Sequence, residues 1–478
     1  MNQARDGVHQ LPTSGSVVDG LAIGERIHTS GMGSVYRATA GPGHAPLAFA
    51  AVVKTPRAGR GEGADGLLGF QTETRVLPAL SGPHVPRFVA AGDLAATPYL
   101  AMEWIEGESL AARIERGRVS FEEAARIGAA VADALHSIHR QGAIHLDLKP
   151  ENIIVRLSGE AVLIDFGLAY HWRFPDLLAE EKRFAGGSAP YVSPEQVLGC
   201  RTDPRSDLFA LGVVLYEMTT GKLPFGVPRT IAGLRDRLWL DPVPPRLLEP
   251  ALPPWFQEVI LRCMEPDAAR RYQSAAHVAF DLRRPDQIPL TARARKREQA
   301  GLLDQGRRWW RARTRHVEAG AAKGRKASAP VIMLAVDTMH PDDLRHPELR
   351  MATARLLATS EEFRLICVSV VRAGPLVADR AEDSGSTPGL HMEHLMRLRQ
   401  WIAPLNLAET RLSLHVIEAL NPSETLLEFA DSNNVDLIII GARNPDHHAL
   451  AWWRSVASGV TARAHCSVYV VRLPDEED

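Results

Sequence analysis

Apolar positions between residues 21 and 102 fall in short β-rich runs around one helical stretch near 69–80. That pattern predicts a small, mostly antiparallel sheet carrying a single helix. From 110 to 282 the spacing turns mainly helical, most clearly over 121–139 and 207–220. Beyond Pro330 strand and helix alternate: 331–337, 363–371, 412–418, 435–441 and Ser467–Arg472 read as strands, and 348–359, 391–402, 423–432 and 455–464 as helices. Such alternation predicts a parallel sheet with covering helices. The longest apolar runs, 46–53 and 437–441, fall far short of the roughly 20 residues that span a bilayer, so they read as buried strands and no membrane span is expected.

At 478 residues the chain exceeds what one core normally fills, so two domains are expected. The net charge of -2 supplies no global field that would draw it to nucleic acid or to an anionic membrane. Basic residues do crowd locally: Arg293, Arg295, Lys296, Arg297, Arg307, Arg308, Arg311, Arg313, Arg315, Lys323, Arg325 and Lys326 stand with few acids and little apolar periodicity, which reads as a linker. Its Arg307-Arg-Trp-Trp-Arg-Ala-Arg run suits either an anionic surface or, as expected here, a linker helix packing Trp309 or Trp310 against a domain. Cys200, Cys263, Cys367 and Cys466 lie too far apart for a metal clip or a disulfide framework and read as reduced thiols of a cytoplasmic protein. Residues 1–19 lack the apolar core of a signal peptide.

The chemistry concentrates in His145-Leu-Asp147-Leu-Lys149-Pro-Glu-Asn152, followed by Asp165-Phe166-Gly167. Phosphoryl transfer asks a protein to position a hydroxyl in line and to neutralise phosphate charge. Asp147 can accept or orient the hydroxyl proton, Lys149 can steady the transferred group, and Asn152 with Asp165 supplies oxygen ligands suited to magnesium. Singly, each would more often be a capped turn or a surface charge; both motifs in order and correctly separated are not readily accidental.

On these residues the chain resembles the eukaryotic-type (Hanks-type) serine/threonine protein kinases over about 21–282. The resemblance implies a bilobal α+β fold, ATP and Mg2+ as cofactors, and Ser/Thr hydroxyls of proteins as substrates. Ala51-Val-Val-Lys54 looks like the strand carrying the phosphate-binding lysine, and Glu73 like its ion-pair partner on a helix. Tyr99-Leu-Ala-Met102-Glu103-Trp104 resembles the hinge, with Met102 bordering the pocket and the backbone of Glu103 and Trp104 binding adenine. Ile27, Ser30, Gly31, Gly33 and Val35 would cover the nucleotide. Ser193-Pro194-Glu195 stands in place of Ala-Pro-Glu, with Arg271 as the buried partner of Glu195, and Asp207 would anchor the catalytic loop. Lys149 together with the Ser188 hydroxyl would bond Asp147, an arrangement that implies Ser/Thr rather than Tyr specificity.

Two departures stand out. The phosphate-covering loop should read Gly-x-Gly-x-x-Gly, but His28 and Ser30 occupy its first two glycine positions and Gly31 sits one place late, so ATP binding is expected to be weakened or altered rather than lost. Leu146 replaces the arginine that would hold a phosphorylated activation loop, and residues 168–187 contain no Ser, Thr or Tyr except Tyr170, so activity is expected not to depend on loop phosphorylation. The loop motivates a rival reading, a pseudokinase or nucleotide-sensing scaffold.

The end of the chain, about 329–474, resembles universal stress proteins, which implies a Rossmann-like α/β domain that regulates, recruits or dimerises, here through the edge strand Ser467–Arg472 as a homodimer. Nucleotide-binding members carry Gly-x-x-Gly, nine residues, then Gly-Ser or Gly-Thr; Asn444 and Arg454 replace two of those glycines, so ATP is not expected there. Arg443 and Arg454 read as solvated, His447 and His448 as a polar loop, and Asp337 as a ligand-facing residue at a strand end without a catalytic part. The expected organisation is an extension (1–20), a kinase domain (21–285, divided near 102), a basic linker (286–328) and the α/β domain (329–474).

Overall fold

The computed structural model describes residues 11–30, 33–56, 64–94, 96–181, 188–298, 329–340, 344, 347–360, 362–372, 390–442 and 451–473. Near the N-terminus β1 (Val17–Val18), β2 (Leu21–Ser30), β3 (Gly33–Ala40), β4 (Ala51–Thr55), β5 (Phe88–Ala91) and β6 (Leu100–Glu103) form an antiparallel sheet in the order β1-β2-β3-β4-β6-β5. The helix Ala64–Val76 lies between β4 and β5 in sequence. The apolar run 46–53 is strand only from Ala51; residues 46–50 stay at least partly exposed, because hydrogen-bond pairing with β3 begins at Ala51.

A mainly helical region follows. Phe121–Arg140 is started by Ser120, whose hydroxyl accepts from Glu123 N, with Glu122 and Glu123 favourably placed in the first turn. Its apolar positions, including Ala124, Ile127, Val131, Leu135 and Ile138, face the core. Arg205–Thr220 is buried along almost its whole length, and Gly221, at φ 70°, ends it in the left-handed conformation that glycine adopts without strain. β7 (Glu108–Ser109), which precedes the first of these helices, joins β9 (Ile153–Val155) and β10 (Ala161–Leu163) in one small sheet, and β8 (Ala143–Ile144) pairs with β11 (Tyr170–His171); β8 to β11 bracket residues 145–152 and 164–169.

The basic stretch does not begin as a free linker. Ala292–Arg295 is a short helix, and Ala294 is fully buried. The Glu258 carboxylate accepts from Thr291 N, Arg293 Nη1 and Ala294 N, each at 3.0 Å, while Gln257 Nε2 donates to Arg293 O at 2.7 Å and Lys296 O at 2.9 Å. Sequence pattern misses this because the buried residue is one alanine among charges whose partners lie more than 30 residues away. Residues 299–328, with Trp309 and Trp310, lie outside the described residues.

The C-terminal domain holds a five-stranded parallel sheet in the order β14-β13-β12-β15-β16, made by β12 (Val331–Ala335), β13 (Arg364–Arg372), β14 (Leu412–Ala419), β15 (Leu437–Ala442) and β16 (Ser467–Arg472). Separate apolar clusters cover its two faces, as a doubly covered parallel sheet requires. Among the described residues no helix is long and apolar enough to cross a membrane.

Candidate functional site

β4 pairs with β3 and β6 on its two sides, and this places Lys54 inside the fold. Lys54 Nζ lies 2.5 Å from Glu73 Oε2, on the helix Ala64–Val76, and 3.0 Å from Asp165 Oδ1. Glu73 also accepts from Phe166 N at 3.2 Å. With Lys54 only 5% and Glu73 1% exposed, neither charge would persist there unpaired. Burial by itself would lower the Lys54 pKa, but the charges of Asp165 and Glu73 outweigh it, so the ammonium is held above its ordinary value. Burial likewise works against the Asp165 carboxylate, and Lys54 overcomes it, so Asp165 sits below its ordinary value.

Residues 145–152 turn back on themselves around Asp207. Its carboxylate accepts from His145 N at 2.9 Å and Leu146 N at 2.8 Å and bonds His139 Nε2 at 2.8 Å. Burial opposes the ionised form, yet these donors prevail and depress the Asp207 pKa. Leu146 takes φ 62° and Asp165 φ 65°, a region that leucine adopts only under strain. Gln196 Nε2 donates to Leu146 O at 2.9 Å and so helps hold that turn. The His145 ring rests on Phe166, with centroids 5.1 Å apart, and its Nε2 bonds Ile164 O at 3.1 Å, which links residues 145–152 to the segment around Asp165.

Asp147 is buried against three partners. Its Oδ2 meets Lys149 Nζ at 3.0 Å and Asn152 Nδ2 at 3.2 Å, and its Oδ1 accepts from Ser188 N at 2.7 Å. The expected bond from the Ser188 hydroxyl to Asp147 is therefore corrected: the backbone N–H makes it, while the hydroxyl accepts from Lys149 Nζ at 2.8 Å. Since the Asn152 amide nitrogen is turned to Asp147, its carbonyl oxygen is left for another donor-seeking partner, and Asp165 has a second carboxylate oxygen beyond the one facing Lys54. Two hard oxygen donors of this kind suit a divalent cation of the magnesium type.

Ile27, Val35 and Met102 are half-buried on β2, β3 and β6. Gly33 carries φ 145°, and a Cβ built there would meet Thr55 O at 2.1 Å, so glycine is required where the start of β3 lies beside the end of β4. The backbone of Ser30 pairs with Gly33, while Gly31 lies outside the described residues. The hinge expectation needs correction at Trp104, whose N–H already donates to Ala50 O at 2.8 Å and is not available to a base. The Glu103 carboxylate is turned to Arg87 and Arg156, at 2.9 and 3.0 Å. The next amide, Ile105, donates to no described group and was missed by sequence reasoning, because counting residues does not tell which amide an adjoining strand consumes.

Away from the cleft, Glu195 and Arg271 pair inside the helical region, and Ser206 Oγ donates to Glu195 Oε1 at 2.8 Å. Arg201, which no local pattern distinguishes, bonds Asp176 Oδ2 at 2.9 Å and Leu168 O at 2.9 Å, tying down the segment after Asp165. In the C-terminal domain Asp337 accepts from Met339 N and bonds His340 Nδ1, both at 2.8 Å. Arg443, Asn444, His447 and His448, and the side chains of Arg454 and Ser455, lie outside the described residues.

Comparison with known proteins agrees with this arrangement. The protein kinase domain family model matches residues 24–280, over half of the chain, and the universal stress protein family model matches residues 312–472. A probable serine/threonine-protein kinase of Clostridium perfringens is 35% identical over 221 residues, 46% of this chain and 32% of its own length. The serine/threonine-protein kinase pkn2 of Myxococcus xanthus is 35% identical over 217 residues, covering 44% of this chain and 26% of its own. Serine/threonine-protein kinase PknB of Mycolicibacterium smegmatis is 30% identical over 277 residues, 57% of this chain and 44% of its own. The chain thus spans less than half the length of these curated relatives.

Proposed function

Because the chain belongs to the protein kinase domain family, we propose that it transfers the γ-phosphoryl group of ATP to serine or threonine hydroxyls of proteins. One observation carries the reading: Lys54 pairs with Glu73 and Asp165, Asp147 bonds Asn152 and Lys149, and the two groups are joined by the His145 ring on Phe166 and by Ile164 N donating to Asn152 O at 3.0 Å. In this reading Lys54, oriented by Glu73, draws the nucleotide phosphates into place. Asp147 orients the acceptor hydroxyl and takes its proton, and Lys149 balances negative charge beside it. Asp165 and Asn152 would hold Mg2+, which when bound would supply neutralisation of phosphate charge. The Glu103 carbonyl and the Ile105 amide are the backbone pair proposed for adenine, with Ile27, Ser30, Gly31, Gly33 and Val35 above it and Met102 beside it.

The rival pseudokinase reading rests on His28 and Ser30 alone, whereas the Lys54–Glu73 and Asp147–Asn152 contacts support the catalytic one. Radiolabel incorporation from ATP with magnesium into a generic Ser/Thr protein substrate separates the two. The proposed function expects incorporation by the wild type and loss by about two to three orders of magnitude in Asp147→Asn. Incorporation equal in both would end it, and ATP binding without turnover would favour the rival.

Four free cysteines, two of them buried, suit a reducing compartment, and the cytoplasm is the location proposed. β16 is an edge strand with Tyr469 and Val470 exposed, and it is the surface proposed for a homodimer.

A further inference from the structure

The C-terminal sheet meets the kinase domain at a charged, buried junction. His415, on the edge strand β14, has no solvent exposure. Its Nε2 lies 2.6 Å from Glu180 Oε2 and its Nδ1 2.7 Å from Glu181 Oε1, at the end of the short helix Leu177–Glu180. Arg364, the first residue of β13, also pairs with Glu180, and Asn433 Nδ2 donates to Glu180 O at 3.0 Å. A second contact reaches the helix that carries Glu73. Arg75, in its last turn and buried, meets Glu409 Oε2 at 2.8 Å, and Glu409 pairs with Arg399 as well. Leu67 of the same helix packs on the apolar cluster of the C-terminal domain, while its neighbour Leu68 packs with Leu168, Leu177 and Leu178.

Three bodies therefore share one junction: the helix bearing Glu73, the segment that follows Asp165, and the C-terminal sheet. Buried ion pairs add little net stability, since removing both charges from water costs much of what their attraction returns. What they do enforce is geometry, because each charge left without its partner is strongly disfavoured. With the junction closed, Glu73 reaches Lys54 and Ser188 N reaches Asp147, which is the arrangement phosphoryl transfer needs.

We propose that the kinase face formed by the helix Ala64–Val76 and by residues 177–181 is a docking surface for the chain's own C-terminal domain, and that docking in cis holds the catalytic site in its competent geometry. This inference rests on the kinase reading above for its effect on rate, but not for its effect on the helix. Undocking frees the end of the helix at Arg75, two residues from Glu73, and releases Glu180 and Glu181. Coupling between two sites commonly amounts to about 5- to 150-fold, and a fall in phosphotransfer within that range is the expected size.

The test uses the full chain with a charge swap: Arg75→Glu, Glu409→Arg and the two combined, where the exchanged carboxylate would face Arg399 and the exchanged guanidinium together. Phosphotransfer rate and hydrogen exchange of residues 64–76 and 168–181 are followed in each, with His415→Asn as a second route to the same junction. Each single variant should raise exchange in both segments and lower the rate about fivefold or more, and the double variant should recover both. Wild-type exchange in all the variants, or a rate lost in the singles and not recovered in the double, overturns the proposal. Should the wild type itself transfer no phosphate, the function above fails while exchange still reports whether the docking exists.

Discussion

Arg271 and Glu195, 76 residues apart in sequence, close a two-pronged ion pair at 2.6 and 2.7 Å, with the arginine side chain fully enclosed. The pair fastens the segment after the activation region to the end of the helical domain. Arg271→Ala would leave the Glu195 carboxylate buried with Ser206 as its remaining partner. Breaking such a pair from one side costs about 3–5 kcal/mol, so denaturant unfolding should show that loss in the kinase domain. Arg271→Lys should recover only part of it, because an ammonium cannot match both oxygens at once.

In the proposed mechanism Glu73 acts through Lys54, with which it pairs. Glu73→Gln keeps the shape but leaves Lys54 balanced by Asp165 alone, and the ammonium should drift toward Asp165. The expected loss in kcat is about tenfold to a hundredfold, or roughly 1.4–2.7 kcal/mol of barrier. Steady-state kinetics with ATP varied is the measurement, and a variant as fast as wild type would detach Glu73 from the mechanism.

Gly33→Ala should strain the start of β3 where it lies beside the end of β4, since its new Cβ would press on Thr55 O from a backbone at φ 145°. Strain of this type is worth about 1–3 kcal/mol, enough to weaken ATP binding through displacement of the neighbouring loop. Titration calorimetry against the nucleotide, with Ser34→Ala as the neighbouring control, reads the effect.

Leu146 sits where a phosphate-binding arginine would be needed, and it is buried at 3% exposure. Arg201 instead holds the segment through Asp176 and the Leu168 carbonyl. Phosphatase treatment should therefore leave the rate unchanged, whereas Arg201→Ala should reduce it. Mass spectrometry that located an activating phosphate within residues 168–187 would contradict this.

Burial depresses the pKa of His394, aided by the nearby Arg397 and opposed by Glu393 and Asp337. Its Nδ1 bonds Thr338 Oγ1 at 2.8 Å. The folded chain thus binds a proton less readily here than the unfolded chain, whose imidazole titrates near 6.5. Stability is complete above about pH 6.5 and is lost as pH falls toward the depressed folded value. His171 in the kinase domain is depressed in the same direction, so thermal unfolding between pH 5 and 8 is best compared with His394→Asn, which should flatten the slope by the share His394 contributes.

Much of the candidate site was legible because its chemistry is packed into contiguous runs. His145 to Asn152 spans a few residues, so residue type and spacing nearly determine which atoms can meet. The long-range facts were less accessible. Only resemblance points to Glu73 as the acid facing Lys54, and no local pattern tells that the Trp104 amide is consumed by Ala50 O. Ser188 was expected to act through its hydroxyl and acts on Asp147 through its backbone, a choice settled by how the chain turns rather than by which residue it is.

By itself the sequence determined the element types, the two architectures and the chemical inventory, since hydrophobic period and local motif depend on neighbours within one or two turns of chain. Only the tertiary structure decided that Ala292–Arg295 belongs to the helical domain, that Arg201 ties the activation segment, and that His415 inserts between Glu180 and Glu181. Periodicity shows which face of an element is buried and carries no information about what covers it; that depends on packing of surfaces hundreds of residues apart.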